Sequence, residues 1–256
     1  MTRRARAIGI ALRILVLLAL LGVWEWYGRQ PAHIATPPPS KVFPALRNAL
    51  LHQDLLGLTV GTLVTVAVGF LVSVVFGLVV GFAIGVFPWA KDTLDPLVDA
   101  LNAMPVTMLI PIVGVYTGLG LGGRVFVVFS YVAMVIVIST ATGIREMDRG
   151  LRELSLAYQV RGFAFYRKVV FPAALSHIAS GMSLGISRAV RGAVTAELIL
   201  VTVNLGGFMV EQQAVFNNAG LFAGILWTLV LGFVLYEIAL WVERRVTPWR
   251  VRPAFG

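Results

Sequence analysis

Residues 145–172 read REMDRGLRELSLAYQVRGFAFYRKVVFP. Arg145, Glu146, Asp148, Arg149, Arg152, Glu153, Arg161, Arg167 and Lys168 all fall within this segment, and long apolar runs flank it on both sides. A charge at the centre of a bilayer costs roughly 2.5 kcal/mol or more. The segment therefore belongs in water, at one face of a membrane. Leu151 to Tyr158 contains no Gly or Pro, which predicts a short helix lying across that face. Gly162 is placed to end it, and Pro172 reads as the first turn of the next helix.

The flanking runs extend this reading to the whole chain. Of 256 residues 58% are hydrophobic and 13% charged, and the mean hydropathy is +0.87. A soluble domain carries about 25% charge, so the chain is an integral membrane protein with several spans, and the runs taken in order predict an all-α, polytopic protein with one six-helix transmembrane domain. Ile14–Tyr27 is the first span, with Trp24, Trp26 and Tyr27 as an aromatic belt. The basic start MTRRARA also suits a cleavable signal peptide, but no small-x-small cleavage site follows and an uncleaved span is expected. Residues 28–57 are polar and Pro-rich, with Val42, Leu46, Leu50 and Leu51 at helical spacing, which predicts an external linker and an interfacial helix.

Leu58–Phe87 is the second span. Gly61, Thr65, Gly69, Ser73, Gly77, Gly81 and Gly85 recur at every fourth position, a stripe that admits another helix backbone at close range. The stripe speaks for packing and not for a substrate. Leu101–Tyr116 carries Pro105 and Pro111, so the third span is kinked or broken, which membranes tolerate where the backbone faces protein or a cavity. Val125–Ala141 is the fourth span and Pro172–Val201 the fifth. Asn204, Gly206 and Gly207 mark a turn before the last span, Leu221–Val242.

Six spans place both termini on one side. Of the 21 Lys and Arg residues, fifteen lie on the side of residues 145–172, and Arg29, Lys41, Arg47 and Arg124 lie opposite. Positive charge concentrates in cytoplasmic loops, so both termini are expected in the cytoplasm. The net charge of +9 suggests nucleic acid at first sight. Its placement at the ends of apolar runs argues for membrane topology and for no nucleic-acid partner.

Little in the chain can do chemistry. There is no cysteine and no GxxxxGK[ST] phosphate loop, and His33, His52 and His177 show no metal-ligand spacing. Arg188 and Arg191 are the remaining charges inside a span, three apart on one helix face. Arg188 lies about 24 Å of helix beyond Pro172, too deep to reach the inner surface easily. Intramembrane charge points to a functional site. Glu197 lies two turns further on and is placed to pair with another helix. Two readings stay open for Arg188, Arg191 and Glu197: a translocation path, or a buried structural pair or polar packing at a dimer seam.

Residues 145–172 resemble the cytoplasmic loop of the permeases of ABC importers, the binding-protein-dependent transporters. That loop runs Glu-Ala-Ala, three residues, Gly, and later a Pro closing a basic-apolar run. Glu153 and Pro172 stand at the matching spacing, and Arg167–Leu175 matches the closing part. Leu154 and Ser155 replace the two alanines, and Gln159 stands where the family has its Gly. The loop alone also fits an ordinary basic loop of any membrane protein. The resemblance, however, continues through Thr36–Ser40, Leu94-Asp95-Pro96, Met104-Pro105, Ile110-Pro111, Glu197 sixteen positions after Gly181, and the ending Glu243-Arg244-Arg245 with Pro248-Trp249-Arg250. It is nearest the nitrate, sulfonate and taurine branch.

The resemblance implies a permease subunit in the plasma membrane, surrounded by lipid and paired with a second permease copy in a homodimer. It implies a separate ABC ATPase subunit that uses the ATP, and an extracytoplasmic substrate-binding protein. Glu153, Leu154, Ala157, Tyr158, Gly162 and Pro172 would serve ATPase coupling, and no cofactor or metal would bind this chain directly. The expected organisation is residues 1–57 as first span, external linker and interfacial helix, 58–243 as the permease core, and 244–256 as a cytoplasmic tail. Two rival classes are an ion-gradient-driven secondary transporter, which would show inverted repeats and midplane carboxylates, and a membrane-embedded enzyme, which would show a His or Asp cluster at one face. Neither signature is visible in the sequence.

Overall fold

The computed structural model describes residues 3–31 and 35–248. His33, both termini and the end of the tail, with Trp249, Arg250 and Arg252, lie outside the described residues.

The described residues are helical, without strands. The elements are α1 (Arg3–Gly28), α2 (Pro39–His52), α3 (Leu55–Val86), α4 (Pro88–Ala103), a 3-10 turn Val106–Leu109, α5 (Ile110–Thr117), α6 (Leu121–Arg145) and α7 (Arg149–Ala157). There follow α8 (Phe163–Phe165), a π-turn Tyr166–Val170, α9 (Phe171–Ile199), α10 (Asn204–Ala214) and α11 (Asn218–Val246). Five helical segments are long and apolar enough to cross a membrane, and α4 with the 3-10 turn and α5 makes a sixth if that bent pair is one span.

The third predicted span differs most from its expectation. α4 begins at Pro88, thirteen residues before Leu101, and the chain turns by 88° at Met104-Pro105. Pro105 removes a helical donor and breaks the run, whereas Pro111 sits in the first turn of α5, where its missing N–H goes unused.

α6 is the centre of the bundle, between α3 and α9. From Thr65 to Gly85 the small-residue stripe of α3 lies against it, while Gly61 meets Asn204 of α10. A Cβ added at Gly69 would stand 2.5 Å from Val128 Cβ, at Gly77 2.6 Å from Ile136 Cβ, and at Gly85 2.8 Å from Ile144 Cβ. Ser73 is fully buried in the same seam, its hydroxyl donating to Gly69 O at 2.7 Å. Arg124 donates to Thr65 Oγ1 across the same 59-residue offset. α3 and α6 therefore run parallel in a single register over five turns. On the opposite side Gly143, Gly181 and Gly192 bring α6 and α9 together antiparallel, against His177, Ser139 and Val128 respectively. Val66, Val128, Val132, Ile136, Ala189, Val190 and Ala193 form the core between the three helices.

α2 is the predicted interfacial helix, and it packs Ala49 against Leu55, Leu205 and Phe208. α1 touches the rest at its far end. Trp24 Nε1 donates to Pro37 O at 3.1 Å, and Glu25 accepts from Ser40 N at 3.0 Å and Ser40 Oγ at 2.7 Å. The Pro-rich elbow thus anchors the first span.

Candidate functional site

The charged segment forms a unit outside the bundle. Asp148 Oδ1 accepts from Gly150 N at 2.6 Å and starts α7 two residues before the predicted start at Leu151. Gln159, not Gly162, ends it. Gln159 has φ +56°, and Val160 N donates to Ser155 O at 2.9 Å, a six-to-one closure around a left-handed residue. The position where the importer loop has Gly thus holds the glycine-favoured conformation. Gly162, at φ 61° and ψ −142°, instead opens the next helix at Phe163, a region open in practice to glycine alone.

From Phe163 to Ile199 the helix is continuous. Pro172 stands in the first turn of α9, as the sequence predicts, but the π-turn joins α9 to the helical segment before it. The π-turn takes up the cost: Phe171 N donates five residues back, to Tyr166 O, and the widened turn makes room for the proline ring.

α7 carries an uncovered apolar row. Leu151, Leu154 and Tyr158 are 46%, 54% and 77% exposed, and Glu153 and Ala157 are exposed beside them. Ser155 is buried on the side toward the bundle. Behind α7, Arg145 is paired with Asp95 of α4 at 2.5 Å, and His177 Nε2 lies 3.2 Å from Glu146. These pairs tie the loop to α4 and α9.

Arg188 and Arg191 lie on the side of α9 away from its packed face. Arg188 Nη1 donates to Asn102 Oδ1 at 3.5 Å, next to the break at Met104-Pro105. Arg191 is exposed, and its Nε donates to Ser187 O. It lines a cavity of about 610 Å³ between α6, α9 and α11, with Tyr131, Ser187, Thr195, Thr228 and Tyr236 supplying further polar groups. Thr228 Oγ1 donates to Gly224 O at 2.9 Å, which leaves a guanidinium, two phenols and the hydroxyls of Ser187 and Thr195 as groups able to donate to a planar or tetrahedral anion.

Glu197 sits apart from that cavity, fully buried. Thr62 Oγ1 of α3 donates to it at 2.8 Å, Asn204 Nδ2 at 2.8 Å and Gly206 N of α10 at 3.3 Å. Arg124 Nη1 of α6 stands 3.8 Å away. The partner on another helix that the sequence foreshadows is present. Thr62, Arg124 and Asn204 escaped the sequence reading. The charge count places Arg124 among the outer charges, and the Asn204–Gly207 stretch signals a turn where α10 forms. Among the described residues no group of three His, Asp or Glu could hold a metal ion.

The family model for "Binding-protein-dependent transport system inner membrane component" matches residues 73–248. Relatives along nearly the full chain include the riboflavin transport system permease protein of Chloroflexus aurantiacus, 28% identical, covering 95% of this chain and 90% of that one. The taurine transport system permease protein of Escherichia coli is 27% identical, at 94% and 90% coverage. The bicarbonate transport system permease protein of Synechococcus elongatus is 24% identical, at 94% and 91% coverage. An inward-facing structure of the MetNI methionine ABC transporter superposes with a TM-score of 0.63 at 20% identity, covering 77% of this chain and all of that one, which shows the shared fold. The helical bundle and the match over residues 73–248 together make this chain a transport subunit rather than an enzyme, and it belongs to the family of binding-protein-dependent transport system inner membrane components.

Proposed function

We propose that this chain is the permease of an ATP-driven importer of a small anionic solute and that two copies of it enclose the path. A separate ATPase docks on α7 from the cytoplasm, and a binding protein delivers the solute to the opposite face. The carrying observation is α7 itself. A segment too charged to enter lipid holds Leu151, Leu154 and Tyr158 uncovered in water. Exposed apolar rows of this kind mark protein contacts. ATP binds and is hydrolysed on the partner, and both termini of this chain lie on the α7 side.

The anion reading rests on Arg188 and Arg191. Facing lipid at that depth, each would cost about 2.5–3.5 kcal/mol; facing a water-filled path between two copies, each is solvated and available. Relatives named for taurine and bicarbonate transport accord with this chemistry, while another relative is named for riboflavin transport.

Glu153→Arg tests the docking. The variant should fold, insert and dimerise, but the ATPase should co-purify poorly and its hydrolysis should stop responding to the loaded binding protein. Normal co-purification with normal stimulation would remove α7 as the docking element.

A further inference from the structure

We infer that Glu197 is a positioning residue that latches α10 onto α9, so that a load on the outer face is passed to the helix continuous with the ATPase-docking loop. The inference rests on the importer reading above and adds a residue-level route to it.

The geometry is a four-way closure. One carboxylate is approached by donors from α3, α6 and α10: Thr62, Arg124, Asn204 and Gly206 N. Thr62 also accepts from Leu205 N at 3.4 Å, adding a second tie to α10. Asn204 holds φ +54°, a conformation Asn tolerates better than most residues, and this aims its amide back at Glu197. Gly206 permits the approach. A Cβ there would lie 2.6 Å from Glu197 backbone carbon and 2.8 Å from Leu198 N, and backbone cannot rotate out of the way. α10 is thus seated directly on the main chain of α9.

The two ends of this seat face different partners. The far end of α10 is uncovered: Glu211 and Gln213 are exposed, and Val215 and Phe216 are 66% and 88% exposed. That end lies on the side opposite α7. In the other direction, the helix runs unbroken for 37 residues from Ile199 to Phe163, about 55 Å, and ends at the loop that carries α7. Arg191 and Arg188 lie on it between the two ends. A push on α10 reaches α9 through Glu197, and α9 has no interior break to absorb it other than the π-turn at its cytoplasmic end.

The test uses the whole assembly in nanodiscs with ATPase and binding protein. Two variants avoid the carboxylate itself: Gly206→Ala, which wedges α10 off α9, and Asn204→Ala, which removes one donor. Thr62→Val is a milder third, since it keeps the side-chain shape. Basal hydrolysis and ATPase co-purification should stay at wild-type level, while most of the stimulation by loaded binding protein should be lost. Spin labels at cysteines placed at Leu198 and Gln213, in the cysteine-free background, give a readout independent of hydrolysis: one narrow distance in the parent and a broadened one in each variant. Full stimulation despite a broadened distance would overturn the latch, as would an unchanged distance, or equal loss of basal and stimulated rates. A parent assembly that ignores the binding protein would instead overturn the importer reading, with the distance measurement still reporting on the latch.

Discussion

Gly81→Ala should destabilise the permease although it adds a single methyl group. Its Cβ would stand 2.6 Å from Val137 O and 2.7 Å from Thr140 Cβ, where ordinary contact begins at 3.4 Å, a shortfall of about 0.8 Å. Val137 O is a backbone atom in the middle of α6, so no rotamer change relieves the clash and the helices must part. That separation also loosens Gly77 on Ile136 and Gly85 on Ile144, one turn to either side. Overpacking of this kind costs about 1–3 kcal/mol. The clash with backbone puts Gly81→Ala in the upper half of that range, about 2–3 kcal/mol, and the better helix propensity of Ala returns about 1 kcal/mol, leaving a net loss of about 1–2 kcal/mol. At about 2–4 °C per kcal/mol for a chain of this size, the midpoint should fall by about 2–8 °C. Thermal unfolding of the purified protein in nanodiscs measures it. Gly22→Ala on α1 is the control, since nothing lies within 4 Å of its Cβ; it retains the propensity gain alone and should not lower the midpoint. If Gly81→Ala matches the parent and Gly81→Leu does too, the α3–α6 seam is not the close contact described.

Gly77→Leu should disrupt assembly in detergent more severely than Gly81→Ala, because its larger side chain meets Ile136 and the Val137 backbone together; wild-type elution on size exclusion would count against this. Single cysteines at 41 and 217, both exposed, should label from outside and one at 153 from the cytoplasm. Labelling at 217 from the cytoplasm alone would refute the proposed topology. Arg188→Lys keeps the charge without the planar fork, so it should retain part of the transport that Arg188→Gln loses. Normal transport by both Arg188→Gln and Arg191→Gln would place these residues outside the path and remove the anion argument.

What could be read from sequence follows the range of the interactions. The α3 stripe was legible because packing repeats every fourth residue along one helix, and each of its members is a small residue. The short helix α7 is legible because charge and apolar spacing are local properties. The extent of α4 is not: the apolar run that marks the third span begins only at Leu101, yet Pro88 occupies a first helical turn and Pro96 is accommodated within the helix. α10 was missed because Gly206 and Gly207 signal a turn in isolation. Gly206 instead meets the α9 backbone, a neighbour that the linear order does not reveal. Arg124 counts among the outer charges for the same reason, since its carboxylate partner is on α9, far along the chain. The loop shows the reverse case. Gln159 takes a left-handed conformation without being glycine, so the letters alone do not reveal the turn that ends α7.

The single register shared by α3 and α6 has a consequence for how such a protein can change over time. Each residue added to a helix rotates everything beyond it by about 100°. One inserted or deleted residue between Thr65 and Gly85, or between Arg124 and Ile144, would swing the remaining glycines out of the seam and present bulky side chains to bulky side chains. Point substitutions can accumulate freely on the lipid-facing sides of both helices, but their lengths are locked together. Gaps in comparisons of this chain with its relatives should therefore collect in the loops outside this beam and avoid it.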